Sequence, residues 1–292
     1  DTRKRPTMAA KKKPTAQIMT VTPQMAEEWL KKNKVNRHMS DPVAAKYARD
    51  MNRKRWWFCP DPIVFGVDGS LYNGQHRLTA QVLSLSTIDW IVVYDAPAES
   101  QHIMDTQKAR SLKDVLTFNG EENAQFLAPV GRQVALITSN QLGSGRWVMS
   151  HGEILEAINT YPDIRLSAEI ANKSRGGMTP IAPSTLGAAH WLIMQINGST
   201  EADKFMHRII SLSGEKEGSP VLALNRRAHE LRRAKSRPHS RELIGTIIKA
   251  WNMDVEGKDV AYLTLYKSPG GVGEFRLPEV AYRDPGDPSY DI

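Results

Sequence analysis

Apolar residues follow mixed helical and extended spacing in the first third of the chain and mainly helical spacing after it. Thr22-Pro23 and Ser40-Asp41-Pro42 each predict the start of a helix, because proline is tolerated at the first helical position. Runs rich in β-branched and aromatic residues at 63–67 and 88–94 predict strands. The mixture predicts a small α/β domain.

Two turns, at Asp68-Gly69 and at Gly74, lie between these two strands. Asp68-Gly69 separates two extended runs and therefore predicts a β-hairpin. Gly74 ends the second run, and Leu78 and Val82 continue at helical spacing. The expected order at this point is strand, turn and helix.

After Gly120 the pattern is mainly helical. Helix starts are predicted at a capping box beginning at Ser150, at Pro183 or Ser184, and at Ser219, with one extended run at 262–266. The expected fold is thus an α/β N-terminal domain followed by a mainly α-helical C-terminal domain. Four segments are expected: a basic flexible tail at 1–19, the α/β domain at 20–118, a helical, candidate DNA-binding domain at 119–256, and a Gly/Pro-rich extension at 257–292.

The composition indicates a globular protein without disulfides. The chain has 292 residues of which 40% are apolar, which is enough for packed cores, and it has no apolar run long enough to cross a membrane. Its single cysteine excludes an internal disulfide and a cysteine-based zinc site. The N-terminal residues lack the apolar stretch of a secretion signal, so we expect a cytoplasmic location.

Positive charge is concentrated near the N-terminus. The net charge is +7, and residues 1–55 alone hold fifteen Lys/Arg against five Asp/Glu. A local excess of this size attracts polyanions, and the attraction weakens as salt is added. DNA is therefore an expected partner.

Residues Asn73, Gly74, Gln75, His76 and Arg77 form the most informative stretch. A glycine permits a sharp turn, and the amides that follow it point out of a helix N-terminus, which favours bound anions. Arg77 would add a bidentate donor for phosphate and His76 a second donor. The pattern predicts a site for a phosphate or nucleotide.

The same stretch carries a family resemblance. Residues 73–80, Asn-Gly-Gln-His-Arg-Leu-Thr-Ala, after Asp68-Gly69, resemble the Gly-x-x-Arg box of the ParB/sulfiredoxin-like superfamily. In particular they resemble phage and actinobacterial proteins labelled "ParB-like nuclease domain". The resemblance covers roughly residues 20–118, and it implies a nucleotide of unknown identity as ligand, with Mg²⁺ as a compatible cofactor, and a bacterial cell or a phage as the source.

The resemblance also assigns residues, with two departures. It implies that Gly74, Gln75, His76 and Arg77 contact phosphate. Sulfiredoxins place their catalytic cysteine where this chain has Gln75, so sulfiredoxin activity is not expected. Chromosome-partition proteins usually have glutamate there and arginine at the position of His76, which argues against a CTP-gated clamp. By the same resemblance Asp105 is a candidate metal ligand or base and Arg110 a second phosphate clamp.

Two clusters are candidates for contact with DNA. In the first, cations precede three aromatic residues at 56–58, a combination that can bind phosphates and stack bases. In the second, cations are placed along one rough face of a predicted helix. Their members are Arg53, Lys54 and Arg55, and Arg226, Arg227, Arg232, Arg233 and Arg237.

Three functions are consistent with the sequence. The first is a DNA-associated protein that binds nucleotide or phosphate at the Gly74 turn and DNA through basic surfaces. The second is a nuclease, NTPase or phosphotransferase in which Asp105 acts on a metal or nucleophile. The third is a phage- or plasmid-encoded protein that binds a host protein. A homodimer is compatible with each of them.

Overall fold

The computed structural model describes residues 13–34, 36, 39–102, 104, 110–143, 147–234, 238–269 and 275–284. The chain separates into two compact units, Asp1–Ala109 and Arg110–Ile292. A four-stranded mixed sheet with many helices makes the described chain mixed α/β and 54% helical. Among the helices described, none is long and apolar enough to span a membrane.

The first unit is built on the sheet, whose strand order is β1-β4-β2-β3. β1 and β4 are antiparallel, β4 and β2 are parallel, and β2 and β3 form the predicted hairpin. The strands are β1 (Thr15–Val21), β2 (Ile63–Gly66), β3 (Leu71–Asn73) and β4 (Ile88–Ala96). The helices are α1 (Pro23–Leu30), α2 (Asp41–Asn52) and α3 (Gln75–Ser84), and Ala98–His102 forms a 3₁₀ turn.

Strand β1 was not expected, because residues 15–19 were predicted to be part of a flexible tail. Only Val21 of this strand is buried. Local patterning therefore gives little sign of it, since its order comes from a seven-residue ladder with β4, about seventy residues later.

Gln81 fixes α3 against the sheet. It is fully buried, its amide nitrogen donates to the Val21 carbonyl at 2.5 Å, and its amide oxygen accepts from the Trp90 indole at 2.8 Å. Buried polar groups are tolerated when all are hydrogen-bonded. This network ties the end of β1, helix α3 and strand β4 together below the Gly74 turn.

The second unit is helical around one large apolar core. Its described helices are α4 (Leu112–Phe118), α5 (Ala124–Thr138), α6 (His151–Thr160), α7 (Ile164–Lys173), α8 (Pro183–Ser211), α9 (Pro220–Arg233) and α10 (Ser240–Val255). Helix α8 is interrupted at Gly198, whose φ of 77° and ψ of 167° are not helical. The capping box at Ser150 is present as predicted.

The C-terminal segment packs onto these helices without forming regular structure. The strand predicted at 262–266 is wrong, because these residues form no sheet ladder, although Leu263 is fully buried. Residues 275–284 are bound through the carbonyl of Ala281, which accepts from the Trp251 indole at 2.9 Å and from the Asn197 amide at 3.1 Å. The side chain of Arg283 contacts Asp254 at 2.5 Å.

Candidate functional site

Gly74 connects strand β3 directly to helix α3. Its φ of 110° is in the left-handed region, and a Cβ there would lie 2.4 Å from the Cδ1 atom of Ile63. The left-handed φ favours glycine, and a Cβ would also require the end of the Ile63 side chain to shift. Because Gly74 is the N-cap residue, the N-terminus of α3 has no side-chain cap, and its carbonyl accepts the first helical bond from the amide of Leu78 at 2.9 Å.

The guanidinium of Arg77, a predicted phosphate contact, lies against backbone carbonyls of the protein. Its guanidinium is largely buried and donates to the carbonyl of Asp61 and, at 2.9 Å, to that of Pro62. It also lies over the ring of Trp90, with 5.7 Å to the centroid. Arg77 thus holds the segment that leads into β2, and these contacts occupy both of its terminal nitrogens.

The loop between α1 and α2 lies against the other side chains of the turn. Asn33 donates to the Gln75 side-chain oxygen at 2.9 Å, and the backbone amide of Ser40 donates to Nε2 of His76 at 3.0 Å. An Nε2 that accepts a hydrogen bond requires a neutral ring with its proton on Nδ1. Asn36 donates to the Leu71 carbonyl at 2.7 Å and so fixes the loop to β3.

These loop contacts alter the predicted site. Gln75 is buried at the turn, and the expected donor His76 is engaged at one ring nitrogen. Asn73, the first residue of the predicted set, ends β3, and its side-chain oxygen accepts a long hydrogen bond from Arg77 at 3.5 Å. What the turn still offers an anion is its uncapped helix N-terminus. The polar loop at 33–40 lacks a local sequence signal, so sequence reasoning did not find it.

Two further site candidates, Asp105 and Arg110, follow the turn in the sequence. Asp105 lies outside the described residues. Arg110 is exposed and is the first residue of the second unit. In the part of the chain that the structure describes, no group of three or more His, Cys, Asp or Glu could hold a metal ion.

The first basic cluster separates into a buried half and an exposed half. Arg55, a predicted DNA contact, forms an ion pair with Asp50 at 3.2 Å, and both side chains are mostly buried. Trp56 packs edge-on against Trp90, with centroids 5.9 Å apart. By contrast, Trp57 is 84% exposed.

The exposed half also contains cations and a second aromatic ring. Arg53 and Lys54 are exposed at the C-terminal end of α2, and Phe58 is 54% exposed. Cations and aromatic faces are thus presented to solvent within six residues, while Trp56 packs against the core.

The second basic cluster is partly neutralised. Arg226 is paired with Glu217 at 2.5 Å, and Arg227 is paired with Glu230 at 2.8 Å. These pairs make both arginines weaker candidates for DNA contact than expected. In the described ranges, Arg232 and Arg233 are exposed and make no ion pair, whereas Arg237 lies outside those ranges.

One polar cluster that the sequence analysis missed joins α7 and α8. Ser167 Oγ lies 2.8 Å from Nδ1 of His190, and Nε2 of His190 lies 2.8 Å from Asp203. Although these are the residue types of a hydrolase triad, Ser167 and His190 are fully buried, and a nucleophile must reach its substrate. The cluster satisfies a buried histidine. Burial lowers the pKa of His190, and the neighbouring carboxylate of Asp203 opposes that effect.

Comparisons with protein-family models, with curated proteins and with solved structures found no match for this chain.

Proposed function

We propose that the chain is a ParB-like, DNA-associated protein that stacks unpaired bases on Trp57 and binds the neighbouring phosphates through Arg53 and Lys54. The observation that carries this proposal is the 84% exposure of Trp57 beside exposed cations. An aromatic ring that stays in water does not contribute the favourable free energy that its burial would supply. A nucleic-acid base can cover the ring, and base–aromatic stacking contributes about 1–3 kcal/mol per base.

The resemblance and the turn geometry support the nucleotide part of the proposal. Helix α3 begins at Gln75, directly after Gly74 and the end of strand β3. The Gly-x-x-Arg box implies the same order of strand, glycine and helix. Gly74 leaves that terminus without a side-chain cap, and the helix dipole favours a negative group there. In this proposal the phosphate contacts the backbone amides at the start of α3 and the side chain of His76, and Arg77 supports the turn through the Asp61 and Pro62 carbonyls.

The DNA contact is tested with a matched pair of exposed aromatic residues. Trp57→Ala should weaken binding of single-stranded DNA about 5- to 100-fold, since one stacked base is lost. Phe118→Ala is the control, because Phe118 is 86% exposed but is followed by acidic residues in the sequence. Fluorescence anisotropy with a labelled oligonucleotide measures both.

Lys54→Gln adds an electrostatic arm to this experiment. It should lower the slope of log affinity against log salt by about 0.7, the value for one phosphate contact on a single strand. Equal losses in Trp57→Ala and Phe118→Ala, or the absence of DNA binding in the parent protein, would refute the DNA half of the proposal.

The nucleotide part is tested by melting the protein with nucleoside mono-, di- and triphosphates, with and without Mg²⁺. A ligand present at 100 times its Kd should stabilise the folded state by about 2.7 kcal/mol. His76→Ala should reduce this protection, because it removes a side chain from the proposed phosphate site. If no nucleotide raises the melting temperature of the parent protein, the nucleotide part is wrong.

A further inference from the structure

Strand β1 leaves one edge of the four-stranded sheet open. The strand order β1-β4-β2-β3 makes β1 an outer strand that pairs on one side only, with β4. In the part of the chain that the structure describes, the β1 backbone forms no hydrogen bond outside that ladder except at Val21, whose carbonyl accepts from Gln81. An open strand edge presents a row of unpaired N–H and C=O groups, to which another strand can bind.

The opposite edge of the sheet is covered by the protein itself. The backbone amide of Leu71 in β3 donates to the Lys32 carbonyl at 3.0 Å, and the Leu71 carbonyl accepts from the side chain of Asn36 at 2.7 Å. Strand β3 is also only three residues long, whereas β1 has seven. The short edge is therefore blocked, and the long edge is the open one.

Strand β1 has none of the features that usually prevent an exposed edge from pairing. Such features are charged side chains, proline, β-bulges and very short length. Residues 15–21, Thr-Ala-Gln-Ile-Met-Thr-Val, include no charge and no proline, and their register with β4 is continuous over all seven pairs. The middle residue, Ile18, is 67% exposed. An edge of this kind is suited to pairing with a further strand.

The charges on either side of β1 favour a second copy of this chain as the partner. Lys13 precedes the strand and is exposed. In α1, which follows the strand, Glu27 is exposed and makes no ion pair with a described residue, whereas Glu28 is paired with Lys31 at 2.5 Å. An antiparallel pair of β1 strands places the lysine end of each copy at the glutamate end of the other. A parallel pair would place like charges together.

We propose that two copies of this chain join through antiparallel pairing of their β1 strands, which merges two four-stranded sheets into one continuous sheet. The register that pairs all seven residues places Ile18 of one copy opposite Ile18 of the other, on the twofold axis. Each copy uses its one open edge in the described sheet, so the assembly closes as a dimer. This interface does not depend on the function proposed for Trp57 and the Gly74 turn.

The test measures the monomer–dimer equilibrium of the full chain by sedimentation velocity. Ile18→Lys should raise the dissociation constant of the dimer at least about tenfold, because two like charges replace an apolar pair at the axis. Val67→Lys is the matched control. Val67 is also β-branched and is 55% exposed, but it follows β2, two strands away from the open edge. Its dissociation constant should stay within about twofold of the parent value.

A charge exchange at the axis tests the register. Ile18→Glu should weaken self-association as Ile18→Lys does. An equimolar mixture of the two variants should dimerise within about threefold of the parent, because opposite charges then face each other. If the mixture stays monomeric, the antiparallel pairing centred on Ile18 is wrong.

Hydrogen–deuterium exchange of the parent protein provides a measurement that needs no variant. Amides of residues 15–21 that face the open edge should exchange at least about tenfold more slowly well above the dissociation constant than well below it, because pairing protects them. Circular dichroism verifies the folding of the variants, and if Ile18→Lys does not fold, the exchange measurement decides.

Three results would overturn the inference. These are a parent chain that stays monomeric at the highest concentration at which it is soluble, equal dimerisation of the parent and Ile18→Lys, and exchange at 15–21 that does not change with concentration. Protection of these amides only when a different protein is added would also overturn it, and would assign the edge to that protein.

Discussion

At the scale of single residues, His190 shows how burial determines chemistry. It is fully buried between Ser167 and Asp203, and desolvation lowers the pKa of its ring below the ordinary value of 6.5. The charged groups that act on it are Asp203 and Asp163, which raise the pKa, and Lys173, which lowers it. The neutral ring is the form that fits this core.

His190 should therefore make the free energy of unfolding depend on pH. As the pH falls below about 6.5 the unfolded chain takes up a proton that the folded chain does not, so stability falls. The slope is at most about 1.4 kcal/mol per pH unit, until the folded pKa is reached. Urea denaturation at a series of pH values around the ordinary histidine pKa of about 6.5 should show this slope. It should disappear in His190→Gln and persist in His229→Gln, which alters an exposed histidine of α9. A slope that survives His190→Gln would assign it elsewhere.

Arg77 marks the limit of prediction at this scale. The sequence correctly placed it in the first turn of α3. Its guanidinium goes to carbonyls about fifteen residues earlier in the chain, and no spacing rule identifies such a partner. The acidic partners of Arg55 and Arg226 could not be predicted either, because they are set by local backbone geometry and packing. Residue type was predictable at these positions, but the partner was not.

At the scale of elements, the β3–α3 connection depends on Gly74. Its left-handed backbone strains any other residue, and a Cβ there would require the Ile63 side chain to shift. Gly69, in the hairpin turn, shares the first restriction with a φ of 74°, but no atom lies within 4 Å of its ideal Cβ position. The two glycines therefore separate backbone strain from steric clash.

Gly74→Ala should lower the free energy of unfolding by about 2–4 kcal/mol, because strain and overpacking add. Gly69→Ala should cost about 1 kcal/mol, from backbone strain alone. Chemical denaturation measures both values. Equal losses would mean that Ile63 relaxes and that the clash contributes nothing.

Most elements with a local signal were predicted, whereas strand β1, which has none, was not. Helices α1, α2 and α9 begin at a Ser or Thr near proline, and α6 begins at a capping box, so each start was predicted. Helix α4 also has a capping box at Ser111, which was overlooked. Strand β1 has mostly exposed residues, and only its pairing with β4 orders it.

At the scale of the whole molecule, the sequence predicted a mixed α/β chain with a change to mainly helical structure. The division between the two compact units falls after Ala109, and α4 belongs to the second unit. The candidate site was predicted only as far as the Gly74 turn and the exposed half of the first basic cluster.

The segment at 275–284 was expected only as a Gly/Pro-rich extension, yet it completes the second unit. Arg283 is 8% exposed, lies 4.5 Å from the centroid of Trp251, and is paired with Asp254 at 2.5 Å. Because a ribosome delivers the chain from its N-terminus, these contacts form only after nearly all 292 residues have been synthesised. The first unit can finish folding during translation, whereas the second must wait with a hydrophobic face uncovered. Chaperone dependence in the cell should accordingly fall on the helical unit.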